Sequence, residues 1–84
     1  MIKDITKYQW QLRDSDDGVF IRYDDHIDKD NKGRYNTTVI VKATVVADYL
    51  YIQTKSGSVY KLAVDMLRYP MHALQLKIRF GVDL

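Results

Sequence analysis

The chain has 84 residues, a formal net charge of +2 and no cysteine. A chain of this length predicts one small domain, residues 1–84, and the lack of cysteine excludes disulfides, thiolate metal sites and cysteine nucleophiles. All eleven acidic residues are aspartates. Because aspartate favours turns and caps whereas glutamate favours helix interiors, the composition predicts strands and loops.

Hydropathy gives no sign of export or of membrane contact. The longest apolar region, residues 39–47, is interrupted by Lys42 and Thr44, and the N-terminal residues lack the apolar core of a secretory signal. We therefore expect a cytoplasmic protein that does not contact a membrane, and the absence of cysteine fits a reducing compartment.

Charge is unevenly distributed along the chain. Residues 1–30 carry five basic and eight acidic side chains, a net of −3, while residues 31–84 carry eight basic and three acidic, a net of +5. An anionic partner would be attracted to the second part. An excess of this size is nevertheless small for a dedicated binder of duplex nucleic acid.

Alternation of apolar and polar residues predicts two strands near the N-terminus, at residues 7–13 and 19–23. A turn at residues 15–18 pairs Asp14 with Val19. This register collects large side chains on one face of the hairpin, namely Tyr8, Trp10, Leu12, Val19, Ile21 and Tyr23.

A long strand rich in Thr and Val is predicted at residues 35–47. Its odd positions are expected to face the core, and its length requires a bend if the sheet is to close. The core positions expected in this strand are Val39, Val41, Ala43 and Val45.

The clearest hairpin joins residues 49–54 to residues 58–64. A two-residue loop would give it two apolar faces, whereas a three-residue loop, Lys55-Ser56-Gly57, with Gly57 left-handed separates polar from apolar side chains. We therefore expect the following to face inward: Leu50, Ile52, Tyr60, Leu62 and Val64. The outward set is Tyr49, Tyr51, Gln53, Val59, Lys61 and Ala63.

Residues 65–74 predict one short helix or 3-10 turn, limited by Pro70. Alternation resumes at residues 74–80 and predicts a last strand with Leu74, Leu76, Ile78 and Phe80 inward.

The fold class predicted from these elements is all-β and mainly antiparallel, a small barrel or roll of five to six strands. The order from about residue 35 onward, with a short 3-10 turn before the last strand, resembles an SH3-like barrel. This resemblance concerns topology alone, and such folds serve many unrelated functions.

The charged loop at residues 24–33 is the place to look for metal or acid–base chemistry. Read as a calcium loop that starts at Asp28, it has Lys32 at a ligand position and Val39 at the twelfth, so the calcium pattern fails. His26 with Asp24, Asp25 and Asp28 could bind a divalent ion, but such groups are usually solvated loop charge. Asp25 or His26 near Arg34 could serve acid–base chemistry. We expect no metal site, no cofactor and no catalytic residue.

Aromatic side chains are the remaining functional signal. Tyr49 and Tyr51 are expected on an exposed face with Gln53 and Lys61, and Lys77 and Arg79 would join them if the last strand lies alongside. A secondary candidate surface on the first hairpin contains Arg13, Phe20 and Arg22.

Exposed tyrosines beside cations suit two kinds of partner. They anchor protein interfaces, and they stack on the bases of single-stranded RNA or DNA while Lys and Arg contact phosphates. The modest charge favours a protein partner, which predicts a non-enzymatic adaptor or inhibitor of the sort that phage, plasmid and other mobile elements encode. Unpaired edges of the strand at residues 35–47 also predict a homo-dimer.

Overall fold

The computed structural model describes residues 1–24 and 33–84, and the fold they form consists of two sheets and one helix. A four-stranded sheet has the order β1-β7-β6-β5, and a three-stranded sheet has the order β2-β3-β4. The elements are β1 (Ile2–Asp4), β2 (Gln9–Ser15), β3 (Gly18–Asp24), β4 (Arg34–Asn36), β5 (Ile40–Val46), β6 (Tyr49–Thr54), β7 (Val59–Ala63), a 3-10 turn (Val64–Met66) and α1 (His72–Phe80).

The first hairpin confirms the predicted register. Asp14 pairs with Val19, and the pairing continues to Ser15 and Gly18, which leaves a two-residue turn. Its inner face supplies one side of the core, where Ile21 is fully buried. Other inner residues of this hairpin are Trp10, Leu12 and Val19, which are buried, and Tyr8 and Tyr23, which are partly buried.

The hairpin of β6 and β7 also has the predicted register. Ile52 pairs with Tyr60, and Thr54 N donates to Ser58 O at 2.9 Å, so three residues form the loop. Gly57 has φ of 89°, the left-handed conformation that a side chain disfavours. As expected, Leu50, Ile52, Tyr60 and Leu62 are buried, and Val64 packs partly against the core. Ala63, expected outside, is buried.

The long strand predicted at residues 35–47 is two strands, β4 and β5, which belong to different sheets. The chain leaves β4 at Thr37, whose N–H donates to Ile21 O and whose Oγ1 accepts from Ile21 N. A bulge between Ile40 and Lys42 then shifts the alternation by one. Ile40 is therefore buried and Val41 exposed, so Val41 was wrongly predicted as core, while Ala43 and Val45 do pack against the core.

The predicted last strand at residues 74–80 is wrong, because this segment is the helix α1. The predicted 3-10 turn does precede it, directly after β7. The position beside β7 is occupied by β1, whose residues Ile2–Asp4 pair in parallel with Val59–Lys61. In α1, Leu76 alone is fully buried, and Gly81, left-handed at φ 71°, ends the helix.

The segment that leads into α1 covers the free edge of β2. Arg68 N donates to Trp10 O at 2.8 Å, and Leu12 N donates to Nδ1 of His72 at 3.0 Å. The Arg68 side chain continues this contact by donating to Gln9 and to Asp24. Backbone groups of β2 that would otherwise be unpaired thus hold the first turn of α1.

A single core lies between the two sheets and α1, and the Trp10 side chain links its parts by donating from Nε1 to Ala63 O at 2.7 Å. Within residues 1–24 and 33–84, no ladder joins the two sheets into a closed barrel. The fold is therefore mostly β with largely antiparallel sheets, as predicted, and the predicted SH3-like barrel is not confirmed.

Candidate docking face on the four-stranded sheet

The outer surface of the four-stranded sheet carries the tyrosines that the sequence places outside. Cross-strand pairing aligns Tyr51 with Thr44 on β5 and with Lys61 on β7, and it aligns Tyr49 with Val46. We call this surface the tyrosine face. Its members are Lys42, Thr44, Val46, Tyr49, Tyr51, Gln53, Val59 and Lys61.

A cation and an aromatic ring meet on the tyrosine face, toward the end of the sheet where β6 begins. The Lys61 ammonium lies 4.2 Å from the centre of the Tyr49 ring, within the range of an attractive cation–π contact. Tyr49 is exposed, and Tyr51, next to it, is partly buried. Because Lys61 is held against the ring, both side chains are partly ordered before a partner binds.

An acidic residue borders the same surface. Asp4 of β1 pairs in register with Lys61, and its carboxylate accepts from Thr6 N at 3.0 Å and from Thr6 Oγ1 at 2.7 Å. These two hydrogen bonds lower the pKa of Asp4, with a smaller contribution from Lys61. The surface therefore presents both signs of charge.

A shallow depression of about 150 Å³ lies beside Tyr51. Its lining combines apolar, aromatic and hydrogen-bonding groups, from Lys42, Thr44, Tyr51, Ile52, Gln53 and Val59. A space of this volume accommodates a single side chain of a partner.

Lys77 and Arg79 do not join the tyrosine face as predicted. They belong to the last turn of α1, where Lys77 Nζ lies 3.2 Å from Asp83 and Arg79 Nη2 lies 3.8 Å from Asp14. The prediction failed because it depended on a strand beside β7. Four of the six proposed residues therefore lie together on the tyrosine face, namely Tyr49, Tyr51, Gln53 and Lys61.

The secondary candidates lie on the outer side of the first hairpin. Arg13 and Phe20 form a cross-strand pair, and Arg22 Nε donates to Asn36 Oδ1 at 3.1 Å. Phe20 lines an open cavity of about 390 Å³ together with the connection between β4 and β5 and with Lys55. This surface is separate from the tyrosine face because the two sheets have different outer sides.

The loop considered for metal or acid–base chemistry lies mostly outside the described residues, which end at Asp24 and resume at Gly33. Asp24 itself pairs with Arg68 at 3.2 Å. In the described part of the chain, no group of three or more His, Cys, Asp or Glu side chains is placed to hold a metal ion.

A second aromatic group was missed in the sequence. The ring centres of Tyr23 and Tyr35 are 5.3 Å apart and stacked, Tyr8 meets Tyr23 edge-on at 5.4 Å, and Tyr60 lies 6.1 Å from Tyr23. Burial, with smaller contributions from the other three phenols, raises the pKa of Tyr23. The sequence pattern did indicate part of this aromatic group, since Tyr8 and Tyr23 share a face in the predicted register.

Comparison with known proteins gives no relative: no family model, no curated protein and no solved structure matches the chain. Among residues 1–24 and 33–84, no helix has the length and apolarity needed to span a bilayer.

Proposed function

We propose that the protein is a non-enzymatic binding module, an adaptor or inhibitor that docks its tyrosine face onto a protein partner. The observation that carries this proposal is the contact of Lys61 with Tyr49, beside Tyr51 on an open sheet surface. Tyrosine and cationic side chains are typical anchors of protein interfaces because they combine large contact area with polar groups.

The composition of the tyrosine face supports a protein partner. Val46 and Tyr49 offer apolar area, Gln53 and Thr44 offer hydrogen bonds, and Asp4 adds a negative charge beside Lys61. Interfaces between proteins have this mixed character, with an aromatic centre and a polar rim. The depression beside Tyr51 adds a place for one anchoring side chain of the partner.

Single-stranded nucleic acid is the second candidate partner. Tyr49 and Tyr51 provide rings for base stacking, and Lys42 and Lys61 provide cations for phosphates. Two features weaken this alternative: Lys61 already covers one side of the Tyr49 ring, and Asp4 repels phosphate.

The protein-docking proposal is tested with a photo-crosslinking residue at Thr44, which borders Tyr51 and leaves both rings intact. The captured partner is purified, and its affinity is measured by calorimetry for the wild type and for Tyr49→Ala/Tyr51→Ala. We expect the double variant to bind at least about 30-fold more weakly, as for interface anchors worth 2 kcal/mol or more.

Tyr69→Ala is the matched control for that measurement, because Tyr69 is also exposed but belongs to the segment that leads into α1, where its ring lies 5.3 Å from that of His72. Its affinity should stay within about twofold of the wild type. Equal binding by the wild type and the double variant would reject the tyrosine face as the docking surface.

The nucleic-acid alternative is decided by titrating fluorescent single-stranded DNA and RNA at several salt concentrations. Phosphate contacts would give an affinity that falls steeply as salt rises. Absence of binding at low salt removes this alternative, whereas tight salt-dependent binding that Tyr49→Ala/Tyr51→Ala abolishes would replace the protein-docking proposal.

A further inference from the structure

The open cavity of about 390 Å³ beside Phe20 has no lining residue in common with the tyrosine face. It is lined by the turn of the first hairpin, by the connection between β4 and β5, and by the loop between β6 and β7. Its volume falls within the range of small-molecule sites, about 300–1,000 Å³. The side chains that determine its chemistry are Ser15, Asp17, Phe20, Asn36, Val39 and Lys55.

Hydrogen bonds hold the walls of this cavity in place. Thr37 N donates to Ile21 O at 2.9 Å, and Thr37 Oγ1 accepts from Ile21 N at 3.0 Å, which fixes the start of the connection between β4 and β5. Lys55 N donates to Val39 O at 2.9 Å, which joins the end of that connection to the loop between β6 and β7. A site whose walls are already ordered loses little entropy when a ligand binds.

The cavity combines an aromatic ring with hydrogen-bonding groups of both kinds. Asn36 Oδ1 accepts from Arg22 Nε at 3.1 Å, so the Nδ2 group of the amide is left to donate. Asp17 offers carboxylate oxygens that accept, and neither it nor Lys55 forms an ion pair with any residue in the ranges 1–24 and 33–84. Phe20, half-buried, supplies the ring. Such a set complements a planar heterocycle that carries both donors and acceptors.

The surroundings of the cavity are positively charged. Arg13 lies opposite Phe20 across the strand pair, and Arg22 lies two positions further along β3, so both flank the ring on the outer side of the hairpin. With Lys55 these are three cations against the single carboxylate of Asp17. A neutral heterocycle would leave this positive charge unused, whereas a phosphate group complements it.

We propose that this cavity binds a purine nucleotide, with the base stacked on Phe20 and the phosphate bound by Lys55. Asp17 accepts from the exocyclic amine that adenine and guanine both carry, and Asn36 donates to an acceptor of the base. The two-ring purine system covers more of the Phe20 ring than a pyrimidine does. A free nucleotide and the 5′-terminal nucleotide of a strand offer the same chemistry.

The proposal is tested by titrating the ¹⁵N-labelled chain with adenosine monophosphate and following amide chemical shifts. We expect a dissociation constant on the order of 100 μM, because an open cavity leaves part of the ligand in water. The largest shifts should fall at Phe20, Asn36 and Lys55. Uridine monophosphate has the same sugar and phosphate but a smaller base without an exocyclic amine, and it should bind at least about fivefold more weakly.

Two variants separate the base contact from the phosphate contact. Phe20→Leu keeps an apolar side chain and removes the ring, so it should weaken adenosine monophosphate and adenosine alike, each at least about fivefold. Lys55→Gln should weaken adenosine monophosphate at least about threefold and leave adenosine, which has no phosphate, unchanged. Lys42→Gln is the matched control, because this exposed lysine lies on the tyrosine face and the charge removed is the same. It should leave both affinities unchanged.

Four results would overturn the proposal. The first is the absence of shifts up to about 5 mM adenosine monophosphate, far above the expected dissociation constant. The second is a set of shifts that maps to the tyrosine face. The third is an equal effect of Lys42→Gln and Lys55→Gln, which would indicate unspecific attraction by net charge. The fourth is ribose 5-phosphate that binds as tightly as the nucleotide, which would leave an anion contact without base recognition. Amide spectra of the free variants check that each one folds.

A short 5′-phosphorylated oligoadenylate distinguishes the two sources of the nucleotide. Tighter binding than adenosine monophosphate, weakened by Phe20→Leu, would assign the cavity to the end of a strand, and equal or weaker binding would assign it to a free nucleotide. Tyr49→Ala/Tyr51→Ala should bind adenosine monophosphate like the wild type, since the tyrosine face does not line the cavity. This inference and the proposed function therefore fail independently.

Discussion

The hairpin of β6 and β7 and the helix α1 are attached to the same core in different ways. The hairpin contributes Leu50, Ile52 and Leu62, all fully buried, whereas α1 contributes Leu76 as its only fully buried side chain. A hydrogen bond from Leu12 N to His72 adds to the attachment of α1. Because local stability follows the buried apolar contacts, we expect the hairpin to open only with the whole protein and α1 to open separately.

The largest expected effect comes from the hairpin. Leu62→Ala should lower the free energy of unfolding by about 3–5 kcal/mol, the upper part of the range for buried Leu→Ala changes, because the site is enclosed by both sheets. Urea denaturation monitored by the fluorescence of Trp10, the single tryptophan, measures it. Val46→Ala, at an exposed position, is the control and should stay within about 0.5 kcal/mol.

A smaller effect with a different character is expected for Leu76→Ala. The free energy of unfolding should decrease by about 2–3 kcal/mol, and the change should mainly weaken the packing of α1 against the core, because this helix has one fully buried side chain. Native-state hydrogen exchange should then speed up at α1 amides while β6 and β7 keep their protection. Leu74→Ala is the matched control in the same helix. Equal acceleration in the hairpin and α1 would show that the two regions unfold together.

The stability contributed by the first turn of α1 should depend on pH, because His72 lies in this turn. Burial lowers the pKa of His72, where Asp14 acts to raise it and Arg13 to lower it, and only a neutral ring accepts from Leu12 N at Nδ1. As the pH falls, His72 therefore becomes protonated in the unfolded chain before it does so in the folded protein. The stabilisation that neutral His72 contributes is complete above about pH 6.5, and it decreases as the pH falls from there toward the pKa of His72 in the folded protein.

Urea denaturation at pH 7.5 and pH 5.5 measures this decrease. His72→Asn keeps an acceptor oxygen but does not titrate, so it should lose less stability between the two pH values than the wild type. Both proteins carry His26→Gln, which removes the other histidine. Identical losses in the two proteins would mean that His72 does not link α1 to protonation.

The smallest effect is expected at the turn between β5 and β6. Ala47 has φ of 53°, a left-handed conformation that costs a residue with a Cβ about 1–2 kcal/mol and costs glycine little. Ala47→Gly should raise the free energy of unfolding by about 0.5–1 kcal/mol, since the greater entropy of glycine in the unfolded chain offsets part of the gain. A destabilised variant in thermal or urea unfolding would contradict this account.

The sequence was most informative where contacts are local. Both hairpin registers followed from alternation and from turn residues, and Gly57 decided the loop that turns Tyr49 outward. The exposed position of Tyr49, together with Gln53 and Lys61 beside it, could therefore be predicted. Neighbouring residues set these features, and they need no knowledge of the rest of the fold.

Features decided by distant parts of the chain were missed. The run from Leu74 to Phe80 fits the two-residue period of a strand, while Leu76 and Phe80 also fit one side of a helix. The edge of β7 decided between them, because the three residues of β1 already occupy it. The residue pattern also gives no indication of the bulge before Lys42, and because of this bulge Val41 faces solvent instead of the core.

The parallel pairing of Ile2–Asp4 with Val59–Lys61 has a consequence for the order of folding. During synthesis β1 emerges early, yet its hydrogen-bonding partner is made more than fifty residues later, and closing so long a loop is slow compared with forming the hairpins. We therefore expect β1 to be the last strand added to the four-stranded sheet although it precedes the other three in the chain, and the outer edge of β7 stays exposed until β1 pairs with it.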